Sequence, residues 1–343
     1  MDLPPVTAPD VDARRAAVAR HGELAVPDGA LGRLADLGVW LAAVQGACPP
    51  RPPERARVVV VAGDHGIAEA GVSALSPGAT LRQLSEVYRQ HAPISVLAPV
   101  ARATVRVVDV ALDHEEPLEA TRRYRVRRGS GRIDRVDALT HDEAERAVAV
   151  GRALADEEVD AGADLLVPAS LGVGATTPAS TLVAALTRAE PVAVIGRGSG
   201  IDDNAWMRKA AAVRDALRRA RPHTRDPLAL LRVAGGADLA ALAGFCAQAA
   251  VRRTPVLLDG LVVGAAALVA EELAPGARAW WLVAQRSPEP AMALVCEHLD
   301  LPPVIDLGIR LGDGTGAAAV LPLLQMAARL LIETATAVEI GLR

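Results

Sequence analysis

Six short, mostly aliphatic runs, each handing over to a glycine-rich or polar loop, constrain the fold of this chain more than any other feature of its sequence. Val58–Ala62 leads into Gly63-Asp64-His65-Gly66, Val105–Val110 into Asp113-His114, and Leu165–Pro168 into Leu171-Gly172-Val173-Gly174. Val192–Ile195 leads into Gly196-Arg197-Gly198-Ser199-Gly200, Pro255–Leu258 into Asp259-Gly260, and Trp280–Val283 into Gln285-Arg286-Ser287. Continuous apolar runs, as opposed to alternating ones, mark strands buried on both faces, as in parallel sheets covered by helices. The Ala- and Arg-rich stretches between them, such as Thr140–Leu154 and Asn204–Arg221, carry helical spacing. Strands alternating with helices predict an α/β fold with a doubly wound, mostly parallel sheet. Ligands of such sheets bind beyond the carboxyl ends of the strands, which is where these loops fall.

The ends of the chain read differently. Asp10–Gly46 carries helical periodicity (Leu31, Leu34, Leu37, Leu41), and Ala317–Val338 is helical again without strand signals. We expect residues 1–48 and 317–343 to form a small helical subdomain beside an α/β domain spanning 54–316. The Pro-rich link Cys48–Pro53 marks the entry into that domain.

Composition narrows the function. Hydrophobic residues make up 51% of the 343, but aromatics only 2%, so the core is aliphatic and base stacking on aromatic rings is disfavoured. A net charge of −4 offers no global basic field for nucleic acid or an anionic membrane. The basic run Arg122–Arg128 reads as a solvated loop or strand edge, with a phosphate or subunit contact as the other option. Cys48, Cys246 and Cys296 are odd in number and lack CxxC spacing, which points to reduced thiols and not to a disulfide framework or zinc site. The first residues carry no basic and apolar signal-peptide pattern, and the apolar runs read as too short to span a bilayer. The expectation is a soluble, cytoplasmic protein.

Four features of the sequence bear on chemistry. Ser170-Leu171-Gly172-Val173-Gly174-Ala175-Thr176-Thr177-Pro178 follows a strand and opens a helix, so its amides, hydroxyls and helix N-terminus can cradle a phosphate. Many strand–helix turns need glycine for geometry alone, and the Walker lysine is missing. The loop at Gly196–Gly200, including Gly198, fails the GxGxxG spacing, which argues against a dinucleotide site. Lys209 is the single lysine among 37 Lys and Arg residues, so it is either a point charge that Arg cannot mimic or a leftover surface cation. In Arg310-Leu311-Gly312-Asp313-Gly314-Thr315-Gly316, Asp313 sits between glycines, as a general base or as a turn former. Asp64-His65-Gly66 has no further ligand at metal spacing, so His65 is read as a hydrogen-bonded loop residue and no metal is expected. His298 is read as structural.

Taken in order over some 300 residues, these motifs resemble the nicotinate-nucleotide:dimethylbenzimidazole phosphoribosyltransferases of cobalamin lower-ligand assembly. The resemblance begins at Gly29-Ala30-Leu31-Gly32-Arg33-Leu34 and continues through Ala62–Gly66, Gly71-Val72-Ser73, Leu171–Pro178, Gly235–Gly244, Pro255–Gly260 and Arg310–Gly316. It implies a homodimer that uses no cofactor. Its implied reaction takes nicotinate mononucleotide, expels nicotinate and joins the ribose phosphate to an aromatic base acceptor, with inversion to the α-anomer. It also implies roles. Asp313 stands at the catalytic base, normally Glu; Ser170 stands at a second active-site Glu, Ala175 at a usual Asn, and Lys209 at an active-site Lys. Ser76, Leu84 and Leu311 match acceptor-pocket positions, and Gly172, Gly174, Thr176 and Thr177 match the phosphate loop.

Two departures have consequences. Glu to Asp withdraws the carboxylate by one carbon–carbon bond, ~1.5 Å, and a misplacement of about 1 Å can cost on the order of a hundredfold in rate. Glu to Ser at Ser170 removes a charge. Two alternatives follow: a paralogue that ribosylates another azole, a purine or a phenol, and a nucleotide-binding protein that has lost turnover.

Overall fold

A computed structural model of the chain describes residues 3–116 and 119–342. Helices α1 (Val11–Glu23) and α2 (Arg33–Gln45) precede the first strand, β1 (Ala56–Gly63). Then come α3 (Ala79–Tyr88), α4 (Pro93–Val100), β2 (Ala103–Ala111), α5 (His141–Asp160) and β3 (Leu165–Leu171). Next are α6 (Thr176–Thr187), α7 (Asp203–Ala220), α8 (Pro227–Ala234), α9 (Ala237–Val251) and β4 (Val256–Leu258). The chain closes with α10 (Gly260–Leu273), β5 (Trp281–Val283), α11 (Pro290–Leu299) and α12 (Thr315–Glu333).

The strands form one parallel sheet in the order β2-β1-β3-β4-β5. Val58 lies opposite Val105 on one side and Val167 on the other, so the aliphatic runs stack across the centre of the sheet. Val58–Val61 and Leu165–Val167 are at most 1% exposed, which is the two-sided burial their continuous pattern predicts. The strand order reverses direction at the β1/β3 boundary. At such a boundary the loops leave in opposite directions and open a crevice.

Pro168 shapes that crevice. The Leu166 amide donates to Pro255 O, which joins β3 to β4 (2.9 Å). Two residues on, Pro168 has no N–H to continue that side of the ladder. Two further, the Ser170 amide turns to Gly312 O instead (2.9 Å). The carboxyl end of β3 thus parts from β4 and is tied to the loop carrying Asp313.

One expected strand is absent. Pro191–Val194 forms a turn of 3-10 helix, and Val192 is 63% exposed. Pro191 fixes φ and removes a donor at the first position, so the aliphatic run that follows closes a helical turn. A second expectation also needs correction. Helix α12 is long and apolar enough to cross a membrane, with a mean hydropathy of 1.5, although the uncharged runs of the sequence read as too short. More than half of it is buried within the fold, against α2 and α4. The two chain ends meet there: Leu24 pairs with Thr336 in an antiparallel bridge, and Ala17, Ala42 and Leu331 form a small cluster.

Candidate active site

A cleft of about 360 Å³ opens past the carboxyl ends of β3, β4 and β5. Ser170, Leu171, Gly172 and Thr176 form one wall, Gly198 and Glu289 a second, and Arg310–Gly312 a third. Clefts of similar volume lie elsewhere, one between α6 and α7 and one beside His65 and Arg132. The β3–β5 cleft is distinguished by where it sits, at the end of the sheet where α/β ligands bind, and by the buried charges around it.

The β3–α6 loop makes the first wall. At Gly172 the loop passes so close to β1 that a Cβ would lie 2.0 Å from the Gly63 carbonyl oxygen, so only glycine fits. Thr176 begins α6, whose N-terminal potential favours an anion. Lys209, from the middle of α7, is fully buried, so the surface reading of this lysine does not hold. Its ammonium donates to Thr176 Oγ1 (2.8 Å). Burial pulls its pKa down to about 8, while the charge of Glu289 works against that pull. A buried cation at the start of a helix offers the chemistry that an anion such as phosphate needs.

Asp313 lies just behind Gly312, 9% exposed, and its Oδ1 accepts the Thr315 N–H (3.0 Å). It therefore forms the turn that starts α12, next to Gly312, which lines the cleft. Asp259, after β4, is the hidden partner of this loop: Oδ2 accepts the Gly316 N–H (2.9 Å), while Oδ1 is buried without a hydrogen-bond partner. Burial first, and the charge of Asp313 second, raise the Asp259 pKa to about 6.

A family model described as phosphoribosyltransferase matches residues 6–341. The chain is 58% identical over 341 residues to the nicotinate-nucleotide–dimethylbenzimidazole phosphoribosyltransferase of Mycobacterium avium, covering 99% of this chain and 98% of that one. It belongs to the nicotinate-nucleotide–dimethylbenzimidazole phosphoribosyltransferase family. The protein of that name from Mycobacterium tuberculosis is 58% identical over 337 residues, 98% of this chain and 93% of its own. The crystal structure of the Thermus thermophilus phosphoribosyltransferase superposes with a TM-score of 0.91 at 37% identity, covering 97% of this chain and 99% of that one.

Of the residues that the sequence singled out, Ser170, Gly172, Ala175, Thr176, Gly198 and Leu311 line the cleft. Lys209 and Asp313 stand directly behind it. Gly174 faces away, toward Ala68 and His65, and Thr177 is wholly buried. Ser76 is exposed and accepts from Arg82 Nη2 (3.0 Å), while its neighbour Leu75 lines the cleft. Leu84 is 1% exposed in the core, and the adjacent Gln83 lines the cleft in its place. His65 is the hydrogen-bonded loop residue expected of it: its Nε2 lies 3.1 Å from Asp238 Oδ2, joining the β1 loop to α9. Burial opposes a charge on this ring, but the Asp238 carboxylate outweighs it and the pKa is raised.

Glu289 and Asp259 escaped the sequence reading. The loops that hold them were marked as strand exits, but nothing in Ser287-Pro288-Glu289-Pro290 separates a cleft carboxylate from a helix start. Their distinguishing property, burial of a charge with unused acceptors, exists only in three dimensions.

Proposed function

We propose that this chain transfers the phosphoribosyl group of nicotinate mononucleotide to dimethylbenzimidazole, releasing nicotinate and giving an α-ribazole-type phosphate for cobalamin lower-ligand assembly. The observation that carries the reading is the buried Lys209 held on Thr176 across one cleft from the Asp313 loop. Family membership supports the substrates. In this reading Lys209, Thr176 and the Gly172 backbone hold the phosphate, beside Gly198, whose amide is held by Glu289. The azole nitrogen attacks the anomeric carbon from the face opposite nicotinate. As the new C–N bond forms, the old one breaks, and its electron pair neutralises the pyridinium as nicotinate leaves. The Asp313 carboxylate takes the azole N–H proton. Holding both bases on opposite faces of one sugar supplies much of the acceleration.

The reading takes the enzyme as a cytoplasmic homodimer. Cys48, Cys246 and Cys296 are free, which suits a reducing compartment, and exposed Val338, Ile340 and Leu342 offer an apolar surface for a second copy. Product analysis with nicotinate mononucleotide and a panel of dimethylbenzimidazole, adenine and a phenol tests the acceptor. Dimethylbenzimidazole should give the highest kcat/KM; turnover confined to another acceptor class would replace this reading with that of a paralogue.

A further inference from the structure

Among the described residues lining the cleft, Glu289 is the one carboxylate, because Ser170 supplies no charge there. It is 5% exposed. Its Oε1 accepts the Gly198 amide (2.9 Å), and its Oε2 is buried without a hydrogen-bond partner. A carboxylate has about four acceptor positions, and leaving a buried one underused is costly. The fold makes deliberate room for it: a Cβ on Gly196 would lie 2.0 Å from Oε2. Gly198 links this anion to the cation opposite, since a Cβ there would lie 3.2 Å from Thr176 Oγ1 and 3.5 Å from Lys209 Nζ. Lys209 in turn spends one of its three donors on Thr176.

A buried cation and a buried anion therefore flank Gly198, each with bonding capacity left over. A bare phosphate would satisfy the lysine and be repelled by the glutamate. A molecule that presents a phosphate and, a few bonds away, hydroxyl groups satisfies both.

We propose that the Glu289 carboxylate accepts a hydrogen bond from a ribose hydroxyl of the donor nucleotide, and so selects ribonucleotide over deoxyribonucleotide donors. The assignment rests on the phosphoribosyl-transfer reading above for the identity of the donor. It makes Glu289 a specificity residue that reads the sugar while Lys209 reads the phosphate.

Calorimetric Kd values for nicotinate mononucleotide and its 2′-deoxy and 3′-deoxy analogues, with wild type, Glu289→Gln and Glu289→Ala, test this. Wild type should prefer the ribonucleotide over at least one analogue by roughly 10- to 100-fold, the range for a hydrogen bond to a charged group. Glu289→Ala should bind the ribonucleotide more weakly and bring the preference to within about twofold, because a deleted acceptor cannot tell the sugars apart. Glu289→Gln keeps one acceptor oxygen for Gly198 and should leave a reduced preference; it serves if the alanine variant does not fold. A wild-type protein without the preference overturns the proposal. So does a variant that binds all donors more weakly with the preference unchanged, because Glu289 is then only a counter-ion and loop support. Binding is read apart from turnover. A chain that shows the preference but transfers nothing would sink the transferase reading and leave the ribose contact standing.

Discussion

In the proposed reading Lys209 and Asp313 divide the work by their surroundings. Burial brings the Lys209 pKa down to about 8, so the cation is present below that pH and lost above it. Donor affinity should accordingly hold to about pH 7 and fall by up to about tenfold per unit above pH 8. Lys209→Ala should bind weakly throughout and lose this pH dependence in calorimetric titrations. An unaltered profile in the variant would remove Lys209 from the phosphate site. At Asp313, substitution by Asn keeps size and the bond to Thr315 but removes basicity, so kcat should drop by about two to four powers of ten with donor Kd little changed. Asp313→Glu restores about one carbon–carbon bond of reach, ~1.5 Å, and is expected to raise the rate with dimethylbenzimidazole. Steady-state kinetics beside calorimetry checks both variants. The oddity of one lysine among so many arginines was legible in the sequence. Its burial was not, because α7 carries it in a stretch that reads as an ordinary Arg-rich amphipathic helix.

At the scale of elements, the β3–α6 connection sets the site. Gly172→Ala would place a methyl 2.0 Å from Gly63 O, forcing the ends of β1 and β3 apart. We expect a loss of about 1–3 kcal/mol in urea unfolding together with at least tenfold weaker donor binding; a variant with wild-type affinity would show that the loop is not the phosphate cradle. The strands were readable because two-sided burial leaves continuous Val and Leu runs, as in Val58–Val61. Val192–Ile195 misled for the same reason: it is equally aliphatic, but Pro191 and the surface position of Val192 turn it into a 3-10 segment. The short strands β4 and β5 were found from the polar loops that follow them. The opening of β3 at Pro168, which frees the Ser170 amide for the Asp313 loop, depends on pairing partners distant in sequence.

The whole molecule ties stability to the same cleft. Asp259 has its pKa raised from 3.8 to about 6, so its contribution to stability is intact below about pH 4 and is lost as the pH rises through 6. Asp259→Asn removes that titration. Its stability relative to wild type should rise by about 3 kcal/mol between pH 4 and pH 8 in urea unfolding; a difference that does not vary with pH would contradict the buried-carboxyl account. Sheet order lay beyond a reading by local pattern, whereas the parallel α/β class and the meeting of the chain ends, seen in the bridge of Leu24 to Thr336, did not. The central claim is that this cleft couples loss of one base to gain of another. Its most direct test is the stoichiometry of nicotinate release from nicotinate mononucleotide, with and without dimethylbenzimidazole. The account predicts one nicotinate for each new nucleoside phosphate and almost none without acceptor; release at the same rate in its absence would mark a hydrolase and contradict it.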